Sequence, residues 1–168
     1  MLLRLRLIQL SEELANKINM LKIKIPPPII ALAFVVILYI SSALMARFTF
    51  EGQSFFALFI FILGLGCVLS ASIQFRKVNT TVNPLDPESA SHLVVDGIFK
   101  YTRNPMYVGL CVAILAFGIY VGAWLVFILL PLFVISINYL QIVPEEIAMQ
   151  KIFGDEYISY CNSVRRWI

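Results

Sequence analysis

The chain has 168 residues, of which 60% are hydrophobic and only 14% charged, and its mean hydropathy is +0.87. That balance cannot cover a globule with a solvated surface, so a water-soluble domain is excluded in favour of a multi-spanning membrane protein. The net charge of +3 is small, no nucleic-acid partner is expected, and the distribution of charge matters more than its sum.

In chain order, residues 1–25 alternate leucines with Arg4, Arg6, Lys17, Lys22 and Lys24. This is too charged to span a bilayer and suits an amphipathic helix lying along the interface. It lacks the uninterrupted apolar core and small-residue cleavage site of a removable signal. Pro26-Pro27-Pro28 then breaks the chain. Residues 26–75 hold two spans, from Ile29 to about Ala46 and from about Ser54 to Ser72, each close to the ~20 residues that cross ~30 Å of hydrocarbon. Gly64-Leu65-Gly66 and Ser70 in the second read as a small-residue helix interface. Residues 73–103 are polar and rich in turn formers, so a loop is predicted there.

No charge occurs between Arg103 and Glu145. That length allows a helical hairpin, with Gly118–Gly122 supplying the reversal and a short first arm over about Met106–Phe117. Pro131 is expected to kink the second arm. Beyond Pro144 an amphipathic surface helix is expected, broken at Gly154 and followed by a short tail. Twelve of the thirteen Lys and Arg fall in the N-terminal arm, the 73–103 loop and the tail, with Arg47 the exception. The positive-inside rule places those segments, and both termini, in the cytoplasm. The predicted fold class is thus all-α integral membrane. It has about four transmembrane helices, an N-terminal interfacial amphipathic helix, and a C-terminal hairpin plus cytoplasmic amphipathic tail. Residues 76–168 would form its functional core.

Two clusters carry chemistry. In Arg103-Asn104-Pro105-Met106-Tyr107, Asn104 suits a helix N-cap and Pro105 the first helical position, so free N–H groups and a guanidinium would face the interface. Tyr107 shares a face with Arg103 if the helical register extends that far. The same residues also read as a capped helix with a snorkelling arginine and an interfacial aromatic. Pro144-Glu145-Glu146 suits an ordinary helix N-terminus. If the hairpin closes, the two clusters meet in a pocket of both charge signs. Cys67, Cys111 and Cys161 have no metal-ligand spacing and read as packing residues, so no metal is expected.

The ordered segments SHLVVDGIFKYTRNPMYVG, PEE and FGDEYISYCNSVRRW resemble the isoprenylcysteine carboxyl methyltransferase family and its prokaryotic relatives. Their pattern runs HxLVxxGxYxxxRHPxYxG, then EE, then FGxEYxxY, and the likeness covers about Arg76 to Ile168. It implies S-adenosylmethionine as methyl donor, S-adenosylhomocysteine as product, and a lipophilic acceptor from the bilayer, in a prokaryotic plasma membrane. By position, Ser91, Leu93 and Val94 stand in the HxLV segment, Phe99 stands at its Tyr, Asn104, Pro105 and Tyr107 match HPxY, and Glu145 and Glu146 match the acidic pair. All are expected to bind the cofactor, with Arg103 and Glu146 as the groups closest to catalysis. Gln141, one turn before Glu145, is expected to face the acceptor. Asn104 in place of histidine removes any titration near neutral pH at that position. Ser91 replaces the other histidine, and Phe99 lacks a hydroxyl. Alternatives are a phospholipid N-methyltransferase, an NADPH-dependent sterol-type membrane reductase, which the acidic pair disfavours, and a non-enzymatic scaffold.

Overall fold

The computed structural model of the chain describes residues 25–77 and 92–168. The interfacial arm expected over 1–25 therefore lies outside the described residues except for Ile25, and Ser91 lies outside them too.

The described residues form helices joined by short turns, with no strand among them. Helices α1 (Pro27–Leu44) and α2 (Gln53–Lys77) are joined by a turn, and a 3-10 turn at Gly97–Lys100 precedes α3 (Pro105–Val121). Then come α4 (Val126–Ile137), a single π turn over Asn138–Ile142, α5 (Val143–Phe153) and α6 (Asp155–Ser163). Three stretches are long and apolar enough to cross a membrane: Pro27–Leu44, Gln53–Lys77 and the joined Val126–Phe153. The 17 residues of α3 rise about 26 Å, at the lower limit for a crossing. Only 17% of the most apolar window of α2 is buried, although its hydropathy is the highest of the three. Side chains such as Phe55, Leu58, Ile62 and Leu69 point outward, which is stable only against hydrocarbon.

Two differences from the sequence reading concern boundaries. Helix α2 continues past Ser72 to Lys77, ending on the basic pair Arg76 and Lys77, which favours a helix C-terminus. Helix α3 continues past Phe117 to Val121. Gly118 lies inside it, where an added Cβ would come within 2.4 Å of Val126 Cγ2, so that glycine permits close hairpin packing. The reversal itself falls on Gly122, whose φ of 68° is left-handed and whose N–H bonds the Gly118 and Ile119 carbonyls. At this end Phe48 N–H donates to the Gly122 carbonyl over 3.0 Å, and Gln53 Nε2 donates to the Ile119 carbonyl over 2.6 Å. The α1–α2 and α3–α4 turns are thereby tied together.

In lipid the apolar effect does not drive helix association, so close packing must. Gly64 and Gly109 meet where α2 crosses α3: a Cβ on Gly64 would lie 2.9 Å from the Gly109 carbonyl oxygen. Among the described residues nothing lies within 4 Å of such a Cβ on Gly66, so the small-residue contact seen there uses Gly64 and not Gly66. Between α1, α3 and α4 the core is filled by Leu38, Ile114, Val126, Phe133 and Ile137, with Phe34 edge-on to Phe133 at 5.3 Å.

The largest departure lies after Pro131. Helix α4 passes through that proline, and the chain does not stop at Pro144 to start a separate surface helix. Instead α4, the π turn and α5 follow one another without a break. Pro144 has no N–H to give and its ring crowds the carbonyl four residues back, and the widened turn just before it accommodates both. Glu145 and Glu146 consequently sit within a continuous helical run and do not cap a free N-terminus. The break at Gly154 occurs as expected, with φ of 52°.

Candidate functional site

The site is built where the loop before α3, the start of α3, α5, α6 and the tail converge. Phe99, buried in the 3-10 turn, packs edge-on against Phe75 of α2 at 5.3 Å, and its carbonyl accepts a 2.7 Å hydrogen bond from the Tyr160 hydroxyl. Tyr157 and Tyr160 come from one face of α6 because they are three residues apart. Burial pushes both phenols further above the usual tyrosine range, so they remain protonated donors.

The turn into α3 is fastened to the tail. Arg103 N–H donates to the Arg165 carbonyl over 3.0 Å. Thr102 Oγ1 donates to the Arg166 carbonyl over 3.3 Å and Asn104 Nδ2 donates to the same oxygen over 3.0 Å. Asn104 precedes α3 as expected, yet its side chain makes no cap hydrogen bond. Its amide is directed instead to the tail carbonyl, where it adds a second, shorter hydrogen bond beside that of Thr102.

The charged groups meet as two linked pairs. Glu146 Oε1 accepts from Arg103 Nη2 at 2.9 Å and from Arg166 Nε at 3.0 Å, and Glu146 Oε2 accepts from Arg166 Nη2 at 2.5 Å. Arg103 Nη1 donates to the Cys161 carbonyl at 3.3 Å, while its buried Nε has no hydrogen-bond partner among the described residues. The hydrogen bond to Glu146, opposed by burial, raises the pKa of Arg166, which is therefore a fixed cation. Beside this triad the Tyr107 hydroxyl donates to Glu145 Oε1 over 2.5 Å. Arg103 and Tyr107 are thus each paired with one member of the acidic couple, from different turns of the chain.

Arg103, Tyr107, Glu145 and Glu146 face a cavity of about 340 Å³. Leu93, Val94 and Phe99 line it from the loop, Arg103 through Pro105 and Tyr107 from the helix start, and Glu145 and Glu146 from α5. Gln141 is not among its lining residues. Its side-chain amide donates over 2.7 Å to the Ile25 carbonyl at the foot of α1. Several wall residues had no assigned role in the sequence. Pro27 and Pro28 read only as a chain break, Phe75 falls in an expected loop, and Met149, Tyr157 and Tyr160 belong to the amphipathic tail. The i, i+3 tyrosines of the FGxEYxxY segment were the available signal. Arg166, in Val164-Arg165-Arg166-Trp167, carried none beyond its charge.

The cavity has the size of a small-molecule site. It offers two carboxylates, a guanidinium, and a wall of aromatic and aliphatic carbon. A ligand bearing a carboxylate, an ammonium, a sulfonium, ribose hydroxyls and an adenine ring needs that set, so the residues present fit S-adenosylmethionine.

Residues 52–156 match the sequence profile of the family described as phospholipid methyltransferase. The chain is also similar to an uncharacterized protein of Haemophilus influenzae, 38% identical over 63 residues, which are 38% of this chain and the whole of that protein. No solved structure matches. The profile spans α2, α3 and the acidic pair, the parts that frame the cavity. The chain therefore belongs to the phospholipid methyltransferase family, the membrane methyltransferases that include the isoprenylcysteine carboxyl methyltransferase type, and is a multi-pass membrane methyltransferase.

Proposed function

We propose that the protein transfers a methyl group from S-adenosylmethionine to the carboxylate of a lipophilic acceptor that reaches the cavity from the bilayer. The cavity would open to the cytoplasm, where the positive-inside rule also puts both termini. The observation that carries the reading is the single cavity in which Arg103, Glu145 and Glu146 stand beside Leu93, Val94 and Phe99.

When bound, the cofactor supplies a sulfonium-activated methyl group for in-line displacement. The residues contribute mainly by holding the two partners in line and keeping water out. Glu146, fixed by two guanidiniums, would meet the ammonium or ribose of the donor. Arg103, which lines the cavity, would meet a carboxylate. Phe99, Leu93 and Val94 would receive the adenine. A carboxylate acceptor with a pKa of about 3.5 is ionised at pH 7 and needs no base. Glu145, held by Tyr107, need not then move a proton.

The same Glu145–Tyr107 hydrogen bond favours one second reading, N-methylation of a phospholipid amine, in which Glu145 would take the proton released by the acceptor. The two separate in one experiment. The purified protein is incubated with lipid extract and donor labelled in the methyl group, and the labelled lipid is treated with alkali. Release of the label as methanol is the result expected of a carboxyl ester. Label kept on the lipid would refute carboxyl methylation in favour of the amine, and no labelled lipid would refute both. Donor titrations of Glu145→Gln and Glu146→Gln test the cofactor role directly, and two normal affinities would exclude it.

A further inference from the structure

Glu146 presents two oxygens to two arginines, and the division between them is unequal. A carboxylate and a guanidinium pair best through two parallel hydrogen bonds. Arg166 makes that two-point contact, through Nε to Oε1 and Nη2 to Oε2. Arg103 is left with one N–H on Oε1, one on the Cys161 carbonyl, and a buried Nε without a partner among the described residues. Were Arg166 absent, Glu146 would be free to rotate and close a two-point pair with Arg103. Arg166 itself is not among the residues lining the cavity, whereas Arg103 and Glu146 both are.

From this geometry we infer that Arg166 is a positioning residue for donor binding, which fixes the rotation of Glu146 and prevents Arg103 from being consumed by it. The inference rests on the reading of Glu146 as a donor contact. The tail is built to hold Arg166 still: its carbonyl is gripped by Thr102 and Asn104, and the next residue, Trp167, donates from Nε1 to Asn138 Oδ1 over 3.2 Å. Because those anchors use the backbone of Arg166 or the side chain of Trp167, the guanidinium can be removed without cutting them.

The test measures binding of S-adenosylhomocysteine, a non-reacting probe, by calorimetry on the full chain in detergent, alongside a thermal melt for each variant. Arg166→Ala is expected to weaken binding by roughly tenfold or more, the size of one charge-assisted hydrogen bond. Arg166→Lys, which keeps the charge and loses the fork, should recover part of the affinity. In a Glu146→Gln background Arg166→Ala should add less than about twofold, since the two act as one unit. Normal binding by Arg166→Ala with weakened Glu146→Gln would overturn this inference alone, and so would fully additive losses. Normal binding by both would overturn the underlying donor site. If Arg166→Ala does not fold, Arg166→Lys carries the same comparison, and normal binding by it beside a weakened Glu146→Gln would count against the two-point contact.

Discussion

Glu146→Gln is the substitution whose consequence for stability changes most once the partners of the residue are known. At a free helix N-terminus, replacing a carboxylate by its isosteric amide costs only ~0.3–1 kcal/mol of dipole interaction. Here Glu146 accepts three hydrogen bonds from two arginines, with side-chain exposures of 19% for Glu146, 12% for Arg103 and 38% for Arg166. The amide would turn one acceptor into a donor facing a guanidinium N–H and leave two cations without their shared counter-ion. Removing one partner of a buried ion pair costs about 3–5 kcal/mol. The exposure of Arg166 lets water recover part of that, so about 2–3 kcal/mol is expected for this site. For a chain of this length that lowers Tm by roughly 4–12 °C. The assay is a thermal melt of the variant in detergent with no donor present, against wild type and Glu145→Gln. Glu145→Gln should shift less, because the amide oxygen can still accept from Tyr107. A Tm within about 1 °C of wild type for Glu146→Gln would refute the ion triad as a fold-stabilising element and return Glu146 to a simple dipole role.

Arg103→Lys should leave insertion and folding intact but weaken donor binding by about tenfold, because one ammonium cannot serve Glu146 and the Cys161 carbonyl while keeping a further N–H in plane. Calorimetry reads this, and unchanged affinity would make Arg103 a border residue. Tyr107→Phe removes the hydroxyl on Glu145 and should lower stability by about 1.5–3 kcal/mol, since a part-buried carboxylate loses its donor, and a melt unchanged from wild type would refute that bond. Gly64→Ala pushes a Cβ to 2.9 Å from the Gly109 carbonyl, a backbone atom that cannot step aside, and should cost about 1–3 kcal/mol. Gly66→Ala, with open space around it, should cost nothing measurable, and equal melts for the two would refute the assigned α2–α3 interface.

Composition and hydropathy by themselves determined that the chain is an all-helical membrane protein, and the positions of its first two spans followed to within a few residues. These are local properties, set by the number of apolar residues that hydrocarbon requires and by prolines and glycines that end helices. The Arg103–Tyr107 start and the acidic pair were legible as motifs for the same reason. Which group each side chain faces was not. Asn104 has the composition of a cap, and only the tail, 62 residues further along, draws its amide away. Gln141 sits one turn before the acidic pair, and only the π turn ahead of Pro144 swings it to Ile25, 116 residues distant. Arg103 and Arg166 find Glu146 across 43 and 20 residues. Such partners are fixed by how helices pack and where the chain returns, and neither is written in the residues immediately around them.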